Sequence, residues 1–318
     1  MQACCDDQRT LAIIGTGMVG MSCAYAVLNQ GLAGKLLLLD LNEQKAQGEA
    51  MDLNHGLPFA PRRMTIQAAG YDALPQADIA VLCAGVNQKP GESRLSLLQR
   101  NADILRTVTR RAVEAGFTGL FLVATNPVDL MTRVVLEESG FAAGRVFGSG
   151  TTLDSARLRY LLGESFRVDP RNVHAYVMGE HGESEFVPWS QALLATRPIL
   201  SLCGQPGAPD RPALEAISRQ VRDSAQVIIR AKGSTYYGVG MALSRIIRAI
   251  FDDEQSVLTL STHAGGAYGL RPDDLLGLPC LIGRQGVRRT LTLALTPDER
   301  ALLHKSAETL REAWKSLQ

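Results

Sequence analysis

The chain has 318 residues, of which 46% are hydrophobic and 20% charged, and its formal net charge is +1. Such a length exceeds one compact core, and the composition is that of a globular protein rather than a disordered or fibrous one. With almost no net charge and no block of like charges there is no field to draw in nucleic acid, which is therefore not expected as a partner.

Six cysteines (Cys4, Cys5, Cys23, Cys83, Cys203 and Cys280) form no C-x-x-C pair and no rhythm suited to a disulfide framework or a zinc site. A reducing, cytoplasmic setting without a metal is the expectation. Residues 10–34 carry no charge, and "AYA" at 24–26 is similar to a signal-peptidase site. Asp6 and Asp7 nevertheless outweigh Arg9 ahead of that run, and three glycines interrupt it, so neither a signal peptide nor a membrane segment is expected.

"LAIIG" at 11–15 predicts a buried strand closed by a glycine turn, and residues 18–30 a helix. "KLLLLD" at 35–40 predicts a second buried strand, and residues 43–53 a second helix. "MTIQAA" and "ADIAVLCAG" add two strands. Residues 96–115 follow as a helix with Leu97, Ile104, Leu105, Val108 and Ala112 on one face, and "LFLVATN" is another strand. Alternating strands and helices imply a parallel sheet wound on both faces, because parallel neighbours need crossover connections. Beyond about residue 145 the rhythm breaks into helices near 153–166 and 214–231, mixed material, and the loop "CGQPGAPDRP". The expected organisation is α/β: a doubly wound dinucleotide-binding domain over residues 1–145, then a mixed α+β catalytic domain over 146–318. A last helix is marked by a capping box of Thr296 and Glu299, by Pro297, and by the stripe Leu303, Ala307, Leu310, Trp314 and Leu317, which is expected to serve packing alone.

"GTGMVG" places Gly15, Gly17 and Gly20 in G-x-G-x-x-G spacing, with Met18 and Val19 between, directly after the first strand and at the start of a helix. There the backbone amides and the positive helix end face the spot where a pyrophosphate sits in a Rossmann unit. Asp40 ends the second strand, where its carboxylate can accept from ribose hydroxyls and repel a 2′-phosphate, so NAD is expected over NADP.

Of the five histidines, His181 in "MGEHGES" stands out: flanked by Gly179 and Gly182 and near Glu180 and Glu183, it suits an exposed ring on a tight turn beside a cleft. "TTLDSAR" sets Asp154 and Arg157 on one face of a helix, which a surface ion pair would also explain. "VNQKPGESR" at 86–94 leaves the core strand straight into a polar loop, and a solvated loop is the plain alternative to a functional one.

"GTGMVG", "NQKPGESRLSLLQRN", "TNPVD", "GSGTTLDSARLR", "MGEHGES" and "KGSTYYGVG" follow one another in the order and at the approximate spacing of the L-lactate and malate dehydrogenase family. The chain resembles that family over nearly its whole length, the bacterial L-lactate dehydrogenases most. The resemblance implies reversible NADH-dependent reduction of pyruvate to L-lactate, with His181 as general acid and base and Asp154 holding the ring's other nitrogen. It makes Arg157 the fork that grips the substrate carboxylate, Asn126 a donor to the substrate oxygen and a cofactor contact, and Thr235 part of the pocket wall. Arg94, on a loop that closes over the site, would polarise the carbonyl. Gln88 stands where malate dehydrogenases carry arginine, which favours pyruvate over oxaloacetate. Arg159 and His174 match positions that bind fructose 1,6-bisphosphate in many bacterial members, and the resemblance implies a homotetramer. The rival readings are a malate or broader 2-hydroxy acid dehydrogenase, disfavoured by Gln88, and an NAD-dependent glycosidase, which needs a metal held by cysteine and histidine. A catalytically silent nucleotide-binding protein would be expected to have lost one of Arg94, Asp154, Arg157 or His181, and all four are present.

Overall fold

The computed structural model describes residues 9–86 and 94–317. Short apolar runs form the middle of the sheet: β1 (Thr10–Ile14), β2 (Lys35–Leu39), β3 (Thr65–Ala68), β4 (Ile79–Leu82), β5 (Leu120–Val123) and β6 (Val146–Gly148). They pair in parallel in the order β3-β2-β1-β4-β5-β6. β1, β4, β5 and β6 are buried along their full length, since helices cover both faces and leave no position for a polar residue to reach water. The helices of this half are α1 (Met18–Gln30), α2 (Glu43–Gly56), α3 (Arg94–Glu114) and α4 (Val128–Ser139). The buried stripe of α3 runs through Leu98, Ala102, Leu105, Val108 and Ala112, while Leu97 and Ile104, expected within it, sit half-buried at its margin.

After α5 (Thr152–Phe166), a small antiparallel sheet forms from β7 (Val173–His174), β8 (Leu193–Leu194) and β9 (Arg197–Pro198). α6 (Arg211–Lys232) and α7 (Tyr237–Phe251) follow, and then β10 (Ser256–His263), β11 (Leu275–Gly283) and β12 (Gly286–Thr290). These last three strands are antiparallel and extend the central sheet to nine strands, β10 joining β6 where Ser261 pairs with Gly148. The second half is thus built partly on the first half's sheet rather than on one of its own. α8 (Pro297–Lys315) closes the chain. Its capping box forms as expected, and all five stripe residues are buried.

The uncharged run at 10–34 is accounted for by packing. β1 lies in the sheet, and α1 is pressed between the sheet and α7, so closely that a Cβ on Gly240 would come 2.7 Å from the Ser22 backbone. No helix among the described residues is long and apolar enough to cross a membrane.

Candidate active site

The strand order reverses between β1 and β4, which opens a crevice at their carboxyl ends. Three glycines shape its floor, each for a different reason. Gly15 has φ +104, and a Cβ there would lie 2.6 Å from the Ala84 backbone nitrogen just past the end of β4. A Cβ on Gly20 would collide with the Gly15 carbonyl, so that glycine lets α1 sit tight on β1. Gly17 faces open space and is exposed at the N-cap of α1, where no side chain caps the first turn. This leaves the helix's amide groups to a ligand, and the room suits a pyrophosphate. Met18 is exposed and Val19 half-buried beside it. Asp40 Oδ2 accepts from the Thr16 amide and hydroxyl, both at 2.8 Å, and Oδ1 accepts from the Asn42 amide at 3.0 Å. Partial burial raises the Asp40 pKa, but these donors outweigh it and hold the carboxyl below its ordinary value, so a charged group both braces the glycine turn and faces the cleft.

His181 stands on the loop after β7. Its Nδ1 lies 2.6 Å from Asp154 Oδ2, and Arg157 Nη1 donates to Asp154 Oδ1 at 2.8 Å, so one carboxylate on α5 holds both the imidazole and the guanidinium. Asp154 is 2% exposed, Arg157 13% and His181 24%; the ring is half-buried rather than exposed, because α4, α5 and α8 close round its loop. Burial disfavours the imidazolium, but Asp154 first, then Asp129 and Glu185, outweigh it and push the His181 pKa up to about 9. In turn, Asp154 is held below its ordinary value although burial acts against it, because His181 and Arg157 face it.

Several residues that position this loop were not singled out in the sequence. Asp129, buried on α4 in "TNPVD", accepts from the His181 amide at 2.8 Å and from the Ser261 hydroxyl, and burial pushes its pKa up to about 6. Asn126, three residues before it, is exposed at the cleft. Asn101, buried on α3, accepts from the Val86 amide at 2.9 Å and donates to the Asn126 carbonyl at 3.1 Å, which ties the root of the 86–94 loop to that segment. α8 does more than pack: Ser306 Oγ accepts from the Glu180 amide at 2.6 Å, and the capping Glu299 accepts from the Ser190 amide at 2.9 Å. A serine at position 306 of an otherwise apolar stripe was the available signal. Ser306→Ala strands a part-buried amide beside His181 and is expected to cost about 1 kcal/mol, read as a lowered Tm.

Thr235 lies half-buried in the turn between α6 and α7, and its neighbour Ser234 places Oγ 3.0 Å from Met18 Sδ, so this segment meets the glycine turn. Gln88 and the side chain of Arg94 fall outside the described residues. Among the described residues, Arg159, half-buried on α5, has no hydrogen-bond partner for Nε, His174 is exposed on β7, and no hydrogen bond or ion pair joins the two.

Sequence comparison agrees with this geometry. The NAD binding domain of lactate/malate dehydrogenase matches residues 9–148, and the alpha/beta C-terminal domain of the same family matches residues 151–318. The chain belongs to the lactate/malate dehydrogenase family. L-lactate dehydrogenase from Geobacillus kaustophilus (strain HTA426) is 48% identical over 301 residues, 95% of each chain, and that from Geobacillus stearothermophilus matches to the same extent. Among solved structures, a lactate dehydrogenase enzyme from a Medee basin deep-sea metagenome library superposes with a TM-score of 0.96 at 46% identity, covering 98% of this chain and 99% of that one. Minor L-lactate dehydrogenase from Enterococcus mundtii in the ligands-bound form gives 0.96 at 40% identity over the same shares. As a lactate/malate dehydrogenase family member with the NAD-binding domain intact, the chain is an NAD-dependent oxidoreductase.

Proposed function

We propose that the chain is an L-lactate dehydrogenase that reversibly reduces pyruvate to L-lactate, with residues 1–145 holding NAD and residues 146–318 supplying the substrate chemistry. The observation that carries this reading is the Asp154 carboxylate, shared by the His181 imidazole and the Arg157 guanidinium. NAD, when bound, supplies or takes up the hydride. Gly15, Gly17, Gly20, Met18 and Val19 offer it the pyrophosphate turn, Asp40 the ribose acceptor, and Asn126 a contact near the reacting end.

With Asp154 ionised, His181 donates through Nδ1, which turns Nε2 toward the cleft as the proton carrier. In reduction Nε2–H gives its proton to the keto oxygen as C2 becomes a carbinol, and in oxidation the neutral ring takes the proton back. Arg157 keeps one nitrogen on Asp154, and its other guanidinium edge is free to fork the substrate carboxylate. Asn126 donates to the substrate oxygen, Thr235 lines the pocket, and Arg94 brings positive charge to the carbonyl as oxyanion character develops.

Gln88, a neutral amide, leaves no partner for a second carboxylate. NADH oxidation with pyruvate beside oxaloacetate tests this: kcat/KM is expected to favour pyruvate by at least about tenfold, and Gln88→Arg to reverse or erase that preference. Preference for oxaloacetate in the parent would favour a malate dehydrogenase instead. The same reading includes a cytoplasmic homotetramer in pyruvate fermentation, activated by fructose 1,6-bisphosphate through Arg159 and His174. The exposed His174 ring supports that site, since an imidazole suits a phosphate. A pyruvate saturation curve indifferent to added fructose 1,6-bisphosphate would remove it, and sedimentation reads the tetramer directly.

A further inference from the structure

Glu185 takes no part in the chemistry above, yet it stands against it. The turn that follows His181 folds back, with the Glu185 amide donating to the Gly182 carbonyl at 3.3 Å, and leaves the side chain 5% exposed. One ligand-capable atom from each of Glu185, His181 and Asp154 lies within 4.8 Å of the other two. Arg222 on α6 reaches only the Glu185 backbone carbonyl, at 3.3 Å, and no hydrogen bond or ion pair is made to the Glu185 carboxyl among the described residues.

A carboxylate with so little solvent around it is costly to ionise, and an ionised Asp154 beside it makes a second negative charge costlier still. The charged groups facing Glu185 are Asp154 and Arg157 on α5, His181 on its own loop and Arg222 on α6, while Asp129 on α4 faces His181 from another direction. The three ligand-capable groups are close enough to suggest a metal, but His181 Nδ1 and Asp154 Oδ2 are already joined by a hydrogen bond of 2.6 Å, which occupies both atoms.

We propose that Glu185 is a positioning residue for the acid–base pair: its carboxyl, 5% exposed and within 4.8 Å of the His181 and Asp154 ligand-capable atoms, helps His181 keep its proton. Burial and Asp154 raise its pKa to about 8, against the pull of His181, Arg222 and Arg157. Ionisation of Glu185 and loss of the His181 proton, whose pKa is pushed up to about 9, thus both fall on the alkaline side of neutrality. A negative charge added there favours the imidazolium, which extends pyruvate reduction toward alkaline pH. In the direction of lactate oxidation the same charge strengthens His181 as a base.

The inference rests on the proposed role of His181, and its test reads the ring separately from turnover. Carbon-13 labelled histidine, assigned through His181→Asn, gives the His181 titration by NMR in the parent, in Glu185→Gln and in Glu185→Asp. Glu185→Gln is expected to lower the His181 pKa by about one unit, the size of a single charge at this separation in a partly solvated site. The alkaline limb of kcat/KM for pyruvate is expected to move down with it, and Glu185→Asp to retain part of the upward displacement. An unchanged His181 titration in Glu185→Gln, or an equal displacement in both variants, overturns the proposal, the latter because it would mark lost packing rather than a lost charge. A chain inactive with pyruvate that still shows the displacement would sink the proposed function and leave this inference standing.

Discussion

His181→Asn is expected to lower kcat for pyruvate reduction by about 10²–10⁴-fold, the range a positioned proton donor supplies, with little change in NADH affinity. Asparagine keeps the backbone amide that donates to Asp129, so the loop stays anchored while the titrating ring is lost. The glycine turn and Asp40 lie on the other side of the cleft and do not depend on the ring. NADH fluorescence titration beside steady-state kinetics separates the two effects; a kcat within tenfold of the parent would remove His181 from the chemistry. The parent's pH behaviour carries a sign of its own. With a folded-state pKa of about 9, the imidazolium persists through neutrality, so reduction is expected to hold a plateau and fall as pH rises through about 9, while lactate oxidation rises. The raised value also stabilises the fold: the contribution is complete below the ordinary pKa of 6.5 and is lost as pH rises through about 9.

Asp154→Asn is expected to be nearly as severe, about 10²–10⁴-fold in kcat, with a distinct signature. The buried carboxylate accepts from two cationic side chains at once, and an amide can satisfy them only weakly. It can also donate toward Nδ1, which would fix the wrong tautomer, with the hydrogen on Nε2 and no lone pair there to take the proton of lactate. Without the carboxylate, burial acts on the ring with only Asp129 and Glu185 opposing it, so the alkaline limb is expected to move from about 9 toward the ordinary value of 6.5. Arg157 loses its anchor in the same step, and KM for pyruvate is expected to rise because the guanidinium is no longer held in register. A limb that stays near pH 9 in this variant would show that the charge on His181 comes from elsewhere.

The parallel half of the sheet was legible because its strands are buried on both faces and its helices carry clear apolar stripes. The glycine turn was legible because G-x-G-x-x-G spacing followed by a strand-end aspartate has few other structural uses. β10 to β12 were not, since Gly277 and Pro279 interrupt the run that becomes β11, and β7 to β9 are two residues each and show no period. Within the site, Asp154, Arg157 and His181 could be named from motifs, and the structure brings them together from α5 and from the loop after β7. Asp129, Asn101 and Ser306 could not, because each acts on a backbone group supplied by a distant segment. Ser306 shows why: on a helix diagram it is one polar residue in a packing stripe, and only the fold places it under Glu180.

A crystal structure of the protein with NADH and oxamate, the amide analogue of pyruvate, tests the convergence of His181 and Arg157 on one small keto acid most directly. The expected result places the His181 Nε2 within hydrogen-bond distance of the analogue's amide carbonyl oxygen and both free nitrogens of the Arg157 fork on its carboxylate, next to the nicotinamide. Oxamate bound away from these two side chains, or seated with its carboxylate on other cations, would contradict it.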